Sequence, residues 1–161
     1  MIRNALFGFL GLTTAILVLA AISLPAHAVD NIVSSDTPDL TSVRGKIKSQ
    51  DYAGALKELR SLAEDNQQAD VYNLLGYTLR KTGDFETALS YYARALELQP
   101  NHKAAREYLG ELYVETGKMD KANEQLASLT KLCPNGCDER DDLQKFIAAN
   151  SNNRPKAERP D

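Results

Sequence analysis

The 161-residue chain is poor in the residues that do chemistry: two cysteines, two histidines, two methionines and no tryptophan. Two thiols cannot close a tetrahedral zinc site. After residue 28 the only histidine is His102, placed where a solvated loop residue is expected, with no serine or cysteine nucleophile paired to it in sequence. There is no glycine-rich phosphate loop and no H-E-x-x-H pair. Asp138-Glu139-Arg140-Asp141-Asp142 has acids without the spacing or glycine of a calcium loop. The expectation is a protein that is not an enzyme and carries no cofactor. An excess of one charge is also missing. The 19 basic and 22 acidic residues leave a net −3, which gives no electrostatic case for a nucleic-acid partner.

Charge is absent altogether between Ala5 and Leu24, a stretch that follows Arg3 and is ended by Pro25. Ala26-His27-Ala28 then supplies the small-x-small pattern of a signal-peptidase site. Residues 1–28 therefore read as a secretory signal cleaved before Val29, with the rest exported, most simply to a bacterial periplasm. The competing reading is an uncleaved anchor holding a scaffold at the membrane, because the stretch is long enough to span a hydrocarbon core of about 30 Å. Gly8, Gly11, Thr13, Thr14 and Ser23 dilute it and favour cleavage. Membrane contact is expected only through this segment. Residues 29–38 are too polar and irregular to assign to any element.

What the chain does have is a repeat. Leu75-Gly76, Gly83, Ala88 and Pro100 recur 34 residues later as Leu109-Gly110, Gly117, Ala122 and Pro134, without a gap. Leu74, Leu75, Leu79 and then Leu89, Tyr92, Leu96 fall at helical spacing, so each unit is a pair of helices with one apolar face apiece. Gly83 ends the first helix by taking positive φ, and Asp84 caps the second. Pro100 cannot continue a helix, and Asn101 is expected to cap the next. Gly76 and Ala88 are small where two helices cross. Such a pair cannot bury its face alone, so neighbours stack into a superhelix with an inner groove.

This pattern closely resembles the tetratricopeptide repeat, which implies an all-α fold of antiparallel helix pairs with a C-terminal capping helix. Residues 69–102 form the best repeat, with Tyr72 where that family often has tryptophan. Residues 103–136 form a degraded copy with Arg106 at the aromatic position. Residues 39–68 form a degenerate first repeat with Val43 where glycine is usual. Residues 137–150, with Leu143, Phe146 and Ile147 on one face, read as the capping helix. Residues 151–161, with two prolines among many charges, read as a disordered tail. Most of the seven tyrosines fall at core positions, with Tyr77 reserved for the groove.

Cys133 and Cys137 straddle Pro-Asn-Gly, a turn that brings residues four apart within reach of a disulfide. In an exported chain the plain reading is a staple between the last repeat and the capping helix. A thiol-redox site, or copper handling with help from Met119 or His102, is the sharper alternative.

The family resemblance places Arg44, Lys48, Asn73, Tyr77, Arg80 and Lys81 in the groove opposite Glu107, Glu111 and Glu115. The ordinary reading of such charges is a solvated helix face. The functional one is a peptide of an unidentified envelope protein held between charges of opposite sign. Self-association through the open face of the first repeat is a further expectation.

Overall fold

The structure is a computed structural model and describes residues 38–151. The leader, the stretch up to residue 37 and the tail beyond Ser151 lie outside the described residues. Seven helices follow one another: α1 Thr41–Lys48, α2 Tyr52–Asp65, α3 Ala69–Lys81, α4 Phe85–Leu98, α5 Lys103–Glu115, α6 Met119–Leu132 and α7 Asp138–Ser151. There is no strand among the described residues. Each helix packs on the next, and α3 also meets α5, as α5 meets α7. The odd-numbered helices thus form an inner wall.

The turns within pairs follow from a few residues. Gly83 and Gly117 sit at φ +85° and +75°, a region that costs an L side chain about 1–2 kcal/mol. In the first pair the same bend falls to Gln50 at φ +62°, so the degenerate repeat carries backbone strain the other two avoid. Asp51 and Asp84 cap α2 and α4 through the amides of Gly54 and Thr87.

The cap of α5 differs from the expected one. Asn101 stays exposed in the turn, and His102 takes the position instead: its Nδ1 accepts from the Ala105 amide at 3.2 Å. Nε2 therefore carries the ring proton and donates to Asp70 Oδ1 at 3.1 Å. His102 is buried rather than solvated. The turn places it where the starts of α3 and α5 meet, and both ring nitrogens are used there.

Packing explains the small residues. A Cβ on Gly76 would stand 2.7 Å from the Tyr92 ring, and one on Gly110 2.6 Å from a Leu143 methyl. The first contact lets α3 close on α4, and the second lets α7 close on α5. Val43, Leu59, Val71, Leu74 and Leu75 make one core cluster. Leu79, Ala88, Tyr92, Leu109 and Leu112 make the next. Each fully buried leucine contributes on the order of 2 kcal/mol. Val43 thus replaces a glycine crossing with core volume.

Arg106, at the usual aromatic position, donates instead to the Pro100 carbonyl and to Gln125, tying the inter-repeat turn to α6. Beyond α6, Cys133 and Cys137 are bridged, with their Cα atoms 6.0 Å apart and Gly136 at φ +102° in the closed loop. Leu143 is fully buried and covers the end of the third pair.

Candidate functional site: the inner groove

Arg44, Ile47 and Lys48 fall within one turn of α1, and Leu74 and Tyr77 are three apart on α3, so each set shares a face. With Tyr108 of α5 they line one cavity of about 220 Å³. The Tyr77 and Tyr108 rings meet at 4.9 Å, tilted by 58°. The Lys81 ammonium stands 5.3 Å from the Tyr77 centroid, within cation–π range. Arg44 and Lys48 are exposed and pair with no carboxylate among the described residues. The cavity combines an aromatic floor with two free cations at its rim.

Of the other expected groove charges, Lys81 and Glu115 are exposed, whereas Arg80, Glu107 and Glu111 are covered in large part. The Arg80 side chain is 1% exposed and bridges α3 to α5, reaching Glu111 at 2.5 Å and Glu115 at 2.8 Å. Helix packing has made these residues one another's partners, so they are not open to a ligand from opposite walls. Beside the guanidinium lies the buried Tyr92 hydroxyl. The guanidinium and that hydroxyl act directly on each other, and burial pushes the Tyr92 phenol far above its ordinary value. Asn73 is corrected likewise: it is buried, with Oδ1 unpartnered, and presents nothing to the groove surface.

Glu107 is largely buried as a residue, yet its carboxyl oxygens are not among the buried polar atoms that lack a partner. Burial, reinforced by the charges of Glu111, Asp142 and Glu139 and opposed by Arg80, pushes its carboxyl up to about 8. Burial raises the Glu111 carboxyl too, against the pull of Arg80. The Tyr108 phenol is pushed up to about 12, first by burial and then by Glu107.

Leu74 and Tyr108, equivalent positions 34 residues apart, read as core in the sequence, and Ile47 was not singled out; none of the three was placed in the groove. Most of the tyrosines do serve the core: Tyr92 is fully buried, and Tyr72, Tyr91, Tyr108 and Tyr113 pack against the two core clusters while keeping an edge toward solvent.

Among the described residues no group of three or more His, Cys, Asp or Glu is placed to hold a metal ion. No described helix is long and apolar enough to cross a membrane.

Two sequence models of the tetratricopeptide repeat match, at residues 40–101 and 79–140, and together run from 40 to 140. The chain is 30% identical over 63 residues to the uncharacterized protein ycf37 of Guillardia theta, covering 39% of this chain and 35% of that one. It is 28% identical over 80 residues to ycf37 of Pyropia yezoensis, covering 50% and 43%. The chain thus spans less than half the length of these curated relatives.

Among solved structures, the TPR2B domain of yeast Sti1 in complex with pHsp70 superposes with a TM-score of 0.64 at 19% identity, over 71% of this chain and 94% of that one. The type III secretion translocator chaperone SycD of Yersinia enterocolitica gives 0.63 at 14% identity, over 73% and 96%. PcrH, in complex with the chaperone-binding region of PopD, gives 0.61 at 16% identity, over 70% and 88%. At these identities the likeness is one of fold.

Proposed function

The chain belongs to the tetratricopeptide repeat family, whose members are generally non-catalytic interaction modules, and on that premise we propose that it is an exported adaptor holding an extended segment of an envelope protein in its inner groove. The observation that carries this reading is the cavity formed by Arg44, Ile47, Lys48, Leu74, Tyr77 and Tyr108. Three helices contribute to it, its floor is apolar, and its two rim cations have no internal partner. Such a surface favours a partner side chain that is apolar or aromatic and flanked by carboxylates. The solved complexes of Sti1 and PcrH contain a protein partner, which is consistent with that use of the fold. The staple between Cys133 and Cys137 and the commitment of both His102 nitrogens fit a structural role for these residues better than a redox or copper-handling one.

Because the chain contains no tryptophan, a tryptophan placed in a probe peptide is the only one in the mixture. An amidated acetyl-Asp-Trp-Glu peptide should bind with a blue shift of its emission. Its affinity should fall at least tenfold on Arg44→Glu/Lys48→Glu substitution and weaken with salt. An unshifted emission, or one indifferent to both substitutions, would overturn the groove reading. Export rests on residues 1–28, and an intact mass beginning at Val29 in protein from the native envelope is its test.

A further inference from the structure

The cavity between α1, α3 and α5 holds more information than an apolar floor under two cations. Arg44 and Lys48 are four apart on α1, which sets them one turn, about 6 Å, apart along the helix axis. Residues i and i+2 of an extended chain, rising about 3.3 Å per residue, are separated by nearly the same distance and point to the same side. Two acids next to each other in such a chain leave on opposite sides, so they cannot both meet this pair.

The opposite wall points to an extended backbone as well. The Tyr77 ring is enclosed by the Tyr108 ring at 4.9 Å, the Lys81 ammonium at 5.3 Å and the Arg80 guanidinium at 5.7 Å. What Tyr77 and Tyr108 keep is the hydroxyl, since neither phenol is hydrogen-bonded by any described residue. Each hydroxyl can donate one hydrogen bond and accept others. An extended backbone carries N–H and C=O groups that need such partners, whereas the interior of a helix has already spent its own. The space agrees with this: about 220 Å³ admits one large side chain, while a helix with its side chains is about 10 Å across.

We propose that the cavity reads an acid-x-acid tripeptide in extended conformation. Its two carboxylates meet Arg44 and Lys48, its middle side chain turns the other way onto Leu74 and the tyrosine rings, and the two phenol hydroxyls hold its backbone. The proposal rests on the groove reading above and deepens it, because spacing as well as composition selects the partner. It also sets the bound segment along the axis of α1.

The test compares sequence isomers. Amidated acetyl-Asp-Trp-Glu and acetyl-Trp-Asp-Glu share composition and charge and differ only in the spacing of their acids. Followed by tryptophan emission, the first should bind at least tenfold more tightly. Tyr77→Phe/Tyr108→Phe should weaken it at least threefold without lowering thermal stability, since those hydroxyls make no bond within the described fold. Exchanging one acid at a time for its amide, against Arg44→Gln and Lys48→Gln separately, should couple each acid to a different cation. Equal binding of the isomers, indifference to the phenylalanine pair, or coupling of both acids to one cation overturns the proposal while the groove stands. If neither isomer binds, the groove reading falls with it. A dimer of the peptide-free protein that Arg44→Glu/Lys48→Glu dissolves would assign the cavity to a second copy and overturn the proposal too.

Discussion

Arg44 and Arg80 look alike in sequence, each a cation on an inner helix, yet they end in opposite physical states. On α1, at the edge of the repeat stack, Arg44 remains in water. On α3, with α5 packed against it, Arg80 is sequestered among carboxylates that α5 brings to it. What separates the two arginines is whether another inner helix lies alongside. A charge on this wall belongs to the fold where a neighbour covers it and to a partner where none does.

Breaking the sequestered end should have the largest effect. Arg80→Ala leaves Glu111 and Glu115 without their cation in a partly buried site, a change that costs about 3–5 kcal/mol. Arg44→Ala should stay within about 0.5 kcal/mol of the parent. Urea denaturation of both variants measures the contrast, and equal losses would abolish it.

Next in size is a dependence on pH. Glu107 in the folded state holds its proton up to about 8, whereas in the unfolded chain it loses it near 4.5. Between those values the folded protein binds a proton that the unfolded chain does not, so stability falls as pH rises, by at most about 1.4 kcal/mol per pH unit. Glu107→Gln should flatten that slope and stabilise the protein at pH 8 by on the order of 2 kcal/mol, read from denaturation at a series of pH values.

The disulfide should matter by a similar amount but locally. Its short loop gives about 2 kcal/mol in the chain-entropy account. Cys133→Ser/Cys137→Ser should therefore loosen α7, seen as faster hydrogen exchange there, while exchange in α1–α4 stays unchanged. The smallest effect belongs to the open end: Gln50→Gly removes the strain of its positive φ and should raise stability by up to about 1 kcal/mol.

The fold could be read from the sequence because it is periodic: a 34-residue recurrence of glycine, proline and leucine fixes helix pairs, turns and stacking together. The first repeat was the hardest to recognise, since Gln50 and Val43 depart from the turn and crossing residues of the other two. The groove was legible only as a list of positions. Helical spacing tells which residues share a face and says nothing of what stands across from that face. The pairing of Arg80 with Glu111 and Glu115, the burial of Glu107 and the seat of His102 beside Asp70 all arise between repeats, 31 to 35 residues apart. Tyr108 was missed for a related reason, because a tyrosine at a repeat position reads as core until the neighbouring helix shows which of its edges is covered.

Whether the α5–α7 corner is desolvated as described is the point on which the contrast between the two ends depends. It is read most directly from the side-chain carboxyl carbon of Glu107, followed by NMR across pH 3 to 10. The expected midpoint lies near 8, with a single-proton transition. A midpoint near 4.5, the value of a free glutamate, would mean that water reaches this carboxyl as it reaches any surface acid, and the distinction between covered and open charges on this wall would fail.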